Sequence, residues 1–317
     1  MESKLIQEGT YGCVVKPALP CGKTKAAANN VGKIVRKKNT EIELSIATLV
    51  KGIPAWENYY VLQAEDSCTT KNFTHFRRPY EGQCRVYTES ENSELTQLIS
   101  PFAGTPVYKM DVSDIHYIPA LKHVLTAIAK LSNQGICHFD LHENNVLVNK
   151  GVLRLIDFGS AFLGDETTEN VVRRHVYDFS PKFPPQPPEL SVQNALYAGL
   201  DMRLALEQTV KQKHVYSLAY KLLGMNSDAA LKDLREFWST HPPSQSWVPF
   251  FKENWRSWDS WAVGVMFLNI LEKCFLKPTF INTVWMTHSV KIRTVLKGLL
   301  NSDPTKRMTA AEALALL

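Results

Sequence analysis

Asp140, Asn145 and Asp157 are the residues whose types and spacing best suit chemistry. They lie in the stretch HFDLHENNVLVNKGVLRLIDFG, residues 138–159. One acid stands five positions before an amide, and a second acid follows a short apolar run. Such a set serves a reaction with two needs. One group orients a hydroxyl nucleophile, and two oxygen donors hold a divalent metal against a polyphosphate. Singly, each residue suits an ordinary polar turn, and His138 suits a structural histidine. In this order, with an apolar strand between them, they point to phosphoryl transfer.

Such residues need elements that position them. LIQEG and CVVK read as strands around a Gly-containing turn, and VGKIV as a third strand. TEIELSIATLV (40–50) has helical spacing, with Thr40 as its cap and acids in its first turn. YYVLQAE and CRVYTE read as further strands, and DSCTTKNFTHFRRPYEGQ as a loop between them. From about residue 117, Leu121, Val124, Leu125, Ile128 and Leu131 recur at helical steps until Gly135. NVLV and VLRLID form a hairpin around Asn149-Lys150-Gly151. FSPKFPPQPPEL (179–190) must be irregular, and the remainder reads as mostly helical. The expected class is α+β: a small β-rich N-terminal lobe with one helix, and a larger helical C-terminal lobe. The lobes are placed at 1–92, with the hinge, and 93–317, and the active cleft is expected between them.

Composition narrows the possibilities. The 317 residues are 44% hydrophobic and 21% charged, ordinary for a globular chain. A net charge of +5 is too mild to argue for nucleic acid, and no direct nucleic-acid partner is expected. No apolar run reaches the roughly 18 residues of a membrane helix. WAVGVMFLNIL (261–271) reads as a buried core helix. Cys13, Cys21, Cys68, Cys84, Cys137 and Cys274 show no metal-binding spacing, and MESKLIQEG is too polar for a secretory leader. Six reduced intracellular thiols are expected, although Cys21 with Cys13, or Cys68 with Cys84, could pair.

His138-Phe139-Asp140-Leu141-His142-Glu143-Asn144-Asn145 resembles the catalytic loop of eukaryotic-type protein kinases, and Ile156-Asp157-Phe158-Gly159 resembles their metal-binding loop. The resemblance implies Asp140 as the residue serving the acceptor hydroxyl, with Asn145 and Asp157 as ligands of Mg²⁺ or Mn²⁺. Gln7-Glu8-Gly9-Thr10-Tyr11-Gly12-Cys13-Val14 is similar to the glycine-rich loop, with Gln7 in place of the first Gly. Gly9 and Gly12 would then let backbone approach the phosphates of ATP, and Val14 would meet the adenine. Lys33 matches the strand lysine that reaches the phosphates. Glu41 and Glu43 compete to hold it. Glu43 is preferred because apolar Ile46, Ala47 and Val50 follow it at plus three, four and seven. Glu89, at the hinge end of the first lobe, is the further implied nucleotide contact. Two positions depart from the pattern. Phe139 replaces the Arg that pairs with a phosphorylated activation loop, so activity is expected not to depend on phosphorylation at Thr167 or Thr168 through this contact. His142 stands where Ser/Thr-directed members carry a Lys that neutralises the transferring phosphoryl group.

Three distal segments extend the resemblance. Pro187-Pro188-Glu189 resembles the end of the activation segment, Asp259-Ser260-Trp261 the start of the central helix, and Asp303-Pro304-Thr305-Lys306-Arg307 the closing motif. In this family Asp259 would support the catalytic-loop backbone and Arg307 would pair with Glu189. Small-molecule kinases typically lack that tie. An enlarged helical insertion spans about 190–258 and carries Trp247, Trp255 and Trp258, just before Trp261. It reads either as padding or as a docking surface for a partner. EGTYGCVVKPALPC and the PPEL-plus-insertion pattern resemble protein kinases of large cytoplasmic DNA viruses, which would place the chain in host cytoplasm or virions. The expected function is ATP-dependent phosphorylation of a protein hydroxyl, Ser/Thr in preference. The alternatives are a non-catalytic nucleotide-binding scaffold and a small-molecule kinase.

Overall fold

The computed structural model describes residues 3–9, 12–20, 29–37, 40–62, 67–69, 84–86, 95–176 and 179–317. The chain divides into two units, one of residues 1–104 with 156–159, the other of 105–155 with 160–317. The fold class is α+β, as expected.

The first unit is an antiparallel sheet with one helix. Strands β1 (Lys4–Glu8), β2 (Gly12–Lys16), β3 (Asn30–Arg36), β4 (Ser67–Thr69) and β5 (Leu95–Pro101) lie in the order β1-β2-β3-β5-β4. Cys13, Val15 and Ile34 turn inward to a small apolar core with Leu19, Val86 and Leu95. Helix α1 (Thr40–Lys51) buries Glu43, Ile46, Ala47 and Val50, which share one helical face. Two expected strands are corrected. Tyr59–Leu62 of YYVLQAE is a turn and an isolated bridge, and Arg85–Val86 of CRVYTE is helical. Their places in the sheet go to β4 and β5. Five consecutive residues of β5, Leu95–Ile99, are buried, so the strand lacks the alternation that marks a half-exposed one. With β5 in the sheet, the first unit runs past residue 92 to Gly104.

The expectation of six reduced thiols is also corrected. Cys13 and Cys84 form a disulfide, with Cα atoms 6.0 Å apart. Strand alternation turns Cys13 inward, and the 84–86 segment returns over the same core. The pairing excludes both Cys21–Cys13 and Cys68–Cys84. Cys137 and Cys274 are free and buried.

In the second unit, β6 (Thr105–Pro106), β8 (Val146–Asn149) and β9 (Val152–Leu155) form one sheet, and β7 (Ile136–Cys137) pairs with β10 (Phe162–Leu163). Lys150 and Gly151 both have positive φ, which closes the β8–β9 hairpin as a two-residue turn. Helix α2 (Tyr117–Asn133) buries the five residues that its spacing selects, and Gly135 (φ 73°) ends it. There follow α3 (Glu169–His175), α4 (Pro188–Tyr197), α5 (Met202–Gln212), α6 (Val215–Leu223), α7 (Ser227–Thr240), α8 (Val248–Asn254), α9 (Trp258–Cys274), α10 (Met286–Leu299) and α11 (Ala310–Ala315). Pro188 opens α4, where a missing N–H costs nothing, so only 179–187 of the Pro-rich stretch is irregular. Helix α9 is buried on nearly every side, as a core helix should be. No helix among the described residues is long and apolar enough to cross a membrane.

Candidate active site

The first unit gathers charge around Lys33. Lys33 pairs in register with Val14 on β2 and Leu98 on β5, so the three share one sheet face, opposite Cys13 and Ile34. Its ammonium donates to both carboxylate oxygens of Glu43 at 3.1 Å and to Asp157 Oδ1 at 2.6 Å. Glu43 is buried, whereas Glu41 is exposed, so Glu43 is the acid that meets Lys33. Desolvation works against the charge on Lys33, but Asp157 and Glu43 outweigh it and raise its pKa above the ordinary 10.5. Asp157 holds a left-handed backbone (φ 65°), and its Oδ1 also accepts the Gly159 N–H at 3.3 Å. Buried Phe158 meets Tyr60 edge-on, with ring centres 6.0 Å apart, and fixes this segment in the unit.

The two glycines of the turn differ in their surroundings. A Cβ on Gly12 would lie 2.3 Å from the Ile34 carbonyl oxygen, so the β2–β3 pairing itself requires glycine there. A Cβ on Gly9 would meet nothing in the described chain closer than 3.7 Å. Packing therefore accounts for Gly12, and no packing contact among the described residues accounts for Gly9. Thr10, Tyr11 and Glu89 lie outside the described residues.

In the second unit, Asp259 organises the catalytic-type loop. Its carboxylate accepts the His138 N–H at 2.7 Å and the Phe139 N–H at 2.9 Å. Burial raises the Asp259 pKa, although His138 and the two N–H donors oppose the rise. These bonds hold Phe139 in a left-handed conformation (φ 66°), rare for a bulky residue and typical of sites that must aim a neighbour. The neighbour is Asp140, about one-third exposed. Asn145 Nδ2 donates to the Asp140 carbonyl at 2.8 Å and to its carboxylate at 3.2 Å. His142 accepts the Asn144 N–H on Nδ1, so in the neutral ring the proton sits on Nε2. That Nε2 lies 3.6 Å from Asp140 Oδ1 and 3.2 Å from Asn145 Nδ2. Asp157 offers a carboxylate and Asn145 an amide oxygen. Each is by itself a hard oxygen donor of the kind that Mg²⁺ or Mn²⁺ prefers.

Phe139 does not face an open phosphate site. Its ring packs at 4.6 Å on His175 and at 5.7 Å on both Phe162 and Trp258. His175 is buried, with its ring nitrogens 2.6 Å from the Val171 carbonyl and 2.8 Å from the Ser160 carbonyl. Burial lowers the His175 pKa against the pull of those carbonyls. Thr167 is buried and donates to the Gly164 carbonyl, and Thr168 caps α3. Further along, Arg307 donates two parallel hydrogen bonds of 2.7 Å to Glu189, both side chains fully buried.

The insertion contributes a residue that the sequence reading missed. Lys213, between α5 and α6, is 1% exposed. Its ammonium donates to the carbonyls of Phe183 (2.9 Å) and Gln186 (2.8 Å). Burial pulls its pKa down to about 7, opposed by Glu189 and assisted by Arg307. A signal for it existed: Leu206, Val210 and Lys213 follow the helical three- and four-residue steps of the buried face of α5. The tryptophans in and beside the insertion face inward for the most part. Trp255, Trp258 and Trp261 are core residues, and Trp247 is partly buried.

A family model described as "Protein kinase domain" matches residues 2–198, more than half of the chain. The chain belongs to the protein kinase family. The kinase match runs past Glu189, and its end leaves Asp259 and Arg307 to be placed by the structure. Among curated proteins, the chain is 30% identical over 93 residues to "Serine/threonine-protein kinase MPS1" of Saccharomyces cerevisiae, covering 29% of this chain and 12% of that protein. It is 24% identical over 172 residues to "Glycogen synthase kinase 1" of Pyricularia oryzae, covering 54% of this chain and 40% of that protein. The aligned chain thus spans less than half the length of either relative.

Proposed function

We propose that this kinase-family chain transfers the γ-phosphoryl group of ATP to a protein hydroxyl, serine or threonine in preference to tyrosine. The observation that carries the reading is Lys33 held between the carboxylates of Glu43 and Asp157. An ammonium so placed is oriented and stays charged, as contact with phosphate oxygens demands. Gly9, with no packing reason to be glycine among the described residues, would admit phosphate close to backbone, and Val14 and Glu89 would meet the rest of the nucleotide. Asp157 and Asn145 would hold Mg²⁺ or Mn²⁺, which when bound neutralises charge on the phosphates. Asp140 accepts the hydroxyl proton or orients the hydroxyl, and its aim comes from Asn145 and from the loop fixed by Asp259. His142, beside that carboxylate, would donate a hydrogen bond to the transferring group, which a lysine otherwise does. The serine/threonine preference draws support from the name of the yeast relative.

The test is transfer from labelled ATP with Mg²⁺ to mixed protein substrates, followed by identification of the modified residue. Asp140→Asn is expected to lower the rate by about 10²–10⁴-fold, the range for a lost general base. Near-wild-type transfer by that variant would overturn the reading. A second reading, a nucleotide-binding scaffold, draws on Phe139 in place of arginine. It requires nucleotide-dependent thermal stabilisation with no transfer to any acceptor. We also propose an intracellular setting, in host cytoplasm or a virion where the viral resemblance applies; cell fractionation that found the chain only elsewhere would overturn it. A docking role for 190–258 would rest on exposed Tyr197 and Tyr220 rather than on the tryptophans. Unchanged substrate affinity in Tyr197→Ser/Tyr220→Ser would remove it.

A further inference from the structure

Single apolar side chains at a protein surface are ordinary, whereas a cluster of them marks a surface that meets something. Among the described residues, the three most exposed large apolar side chains are Leu276 (81%), Val290 (80%) and Met286 (74%), all in the stretch 276–290. Helix α10 turns Ile292, Val295, Leu296 and Leu299 to the core. Met286, Val290, Arg293 and Lys297 recur at three- and four-residue steps on the side away from that face, and all four are exposed. The turn that leads into α10, Ile281–Trp285, is π-helical and buries none of its residues. Trp285 meets Phe275 edge-on with ring centres 4.7 Å apart, and the Arg293 guanidinium lies 5.1 Å over the Trp285 ring. These contacts join Leu276, which follows Phe275, to the outer stripe of α10 in one surface.

The charge of this surface has one sign. From Lys273 to Ser302 the chain holds five Lys or Arg and no Asp or Glu, in a sequence with 31 acids among 317 residues. Lys273 and Lys277 reach Glu143 and Asp111, and Lys291 donates to the Leu317 carbonyl. Arg293 and Lys297 make no ion pair among the described residues. Side chains that keep about three-quarters of their surface in water project outward and do not line a groove that a peptide could enter. Projecting apolar groups beside cations suit a broad anionic surface that the apolar groups can penetrate. At a bilayer they enter the boundary between headgroups and acyl chains, while Lys and Arg meet lipid phosphates and carboxylates.

We propose that Leu276, Met286 and Val290, with Arg293 and Lys297, seat the chain on the surface of a bilayer that carries anionic phospholipid. The chain lies on such a membrane and does not cross it. The proposal goes beyond the phosphotransfer reading and stands apart from it, since seating requires neither nucleotide nor acceptor.

The test is co-sedimentation of the full chain with vesicles at about 0.15 M salt, where exposed charges are screened beyond about 8 Å. One vesicle set is phosphatidylcholine alone, and the other holds about one-third phosphatidylserine. Wild type is expected to partition at least about twentyfold more strongly onto the phosphatidylserine set, at about fivefold for each of two cations. Arg293→Gln/Lys297→Gln removes that advantage. Leu276→Ser/Met286→Ser/Val290→Ser weakens binding to the same vesicles at least about tenfold, and its exposed sites leave the unfolding midpoint unchanged. Lys232→Gln/Arg235→Gln removes as much charge from exposed positions of α7 and retains binding. Equal binding to both vesicle sets, full binding by either patch variant, or an equal loss in the α7 variant would each overturn the proposal. A last arm replaces the vesicles with immobilised polyglutamate. Capture as strong as by vesicles, and undiminished in the serine variant, would mark a surface for acidic polypeptide and overturn the proposal as well.

Discussion

Lys33 and Lys213 carry largely buried ammonium groups, one in each unit, and loss of water pulls both pKa values downward. They end on opposite sides of the ordinary 10.5. Lys33 faces two carboxylates and is pushed above it, while Lys213 faces two carbonyls, with Arg307 repelling it, and falls to about 7. The difference teaches that depth of burial does not decide the state of a buried cation; the formal charge of its partners does. It also separates two uses of the same side chain. Beside carboxylates the lysine keeps its charge, and beside carbonyls it organises backbone.

The strongest challenge to this contrast is Glu189→Gln. It leaves fully buried Arg307 without its anion, and the expected loss is about 3–5 kcal/mol in urea unfolding. Glu189 is also the charge that supports Lys213, so the same variant should lower the Lys213 pKa further from that of Lys33. Next in size is loss of the Cys13–Cys84 disulfide. Cys13–Cys84 closes a loop of separation 71 around Lys33, while Cys137 and Cys274 in the other unit are free. Cys13→Ala/Cys84→Ala should cost the first unit about 2–4 kcal/mol, read as faster amide exchange in β3 and unchanged exchange in α9.

The pH dependence sharpens the contrast directly. Between pH 7 and about 10 the unfolded chain keeps a proton on residue 213 that the folded chain has released, so this contribution to stability rises with pH. The slope is about 1.4 kcal/mol per unit. Lys33 is protonated in both states over that range, so it contributes a flat term, lost only at still higher pH. Unfolding of wild type minus Lys213→Met at pH 7, 8 and 9 should show the slope; wild type minus Lys33→Met should not. The smallest effect expected is none at all. Because Phe139 is packed among aromatic rings and Thr167 is buried, phosphatase treatment should leave phosphotransfer unchanged.

Much of this was legible in the sequence where a local rule operates. The face of α1 that selects Glu43, the two-residue β8–β9 turn and the five core positions of α2 follow from periodicity and turn chemistry. Features that depend on distant chain were not. Strand β5 is buried on both faces and has no alternation to read. The partner of Cys13 depends on where the chain returns at residue 84. Lys213 sits in QKH, which looks like surface charge until the helical phase is followed from Leu206. Gly12 and Gly9 look alike in the turn and differ only in what lies beside them.

The short passage of Ile156–Gly159 into the first unit sets how the chain can be cut. A fragment ending at residue 104 would retain Lys33 and Glu43 but would leave one of the two carboxylates behind, since Asp157 arrives from a later stretch of chain. Its lysine would keep a single counter-charge, and the loss would be chemical even where the sheet folded intact. The smallest piece able to reconstitute this charge cluster is therefore discontinuous: a chain of about a hundred residues plus a four-residue segment supplied separately.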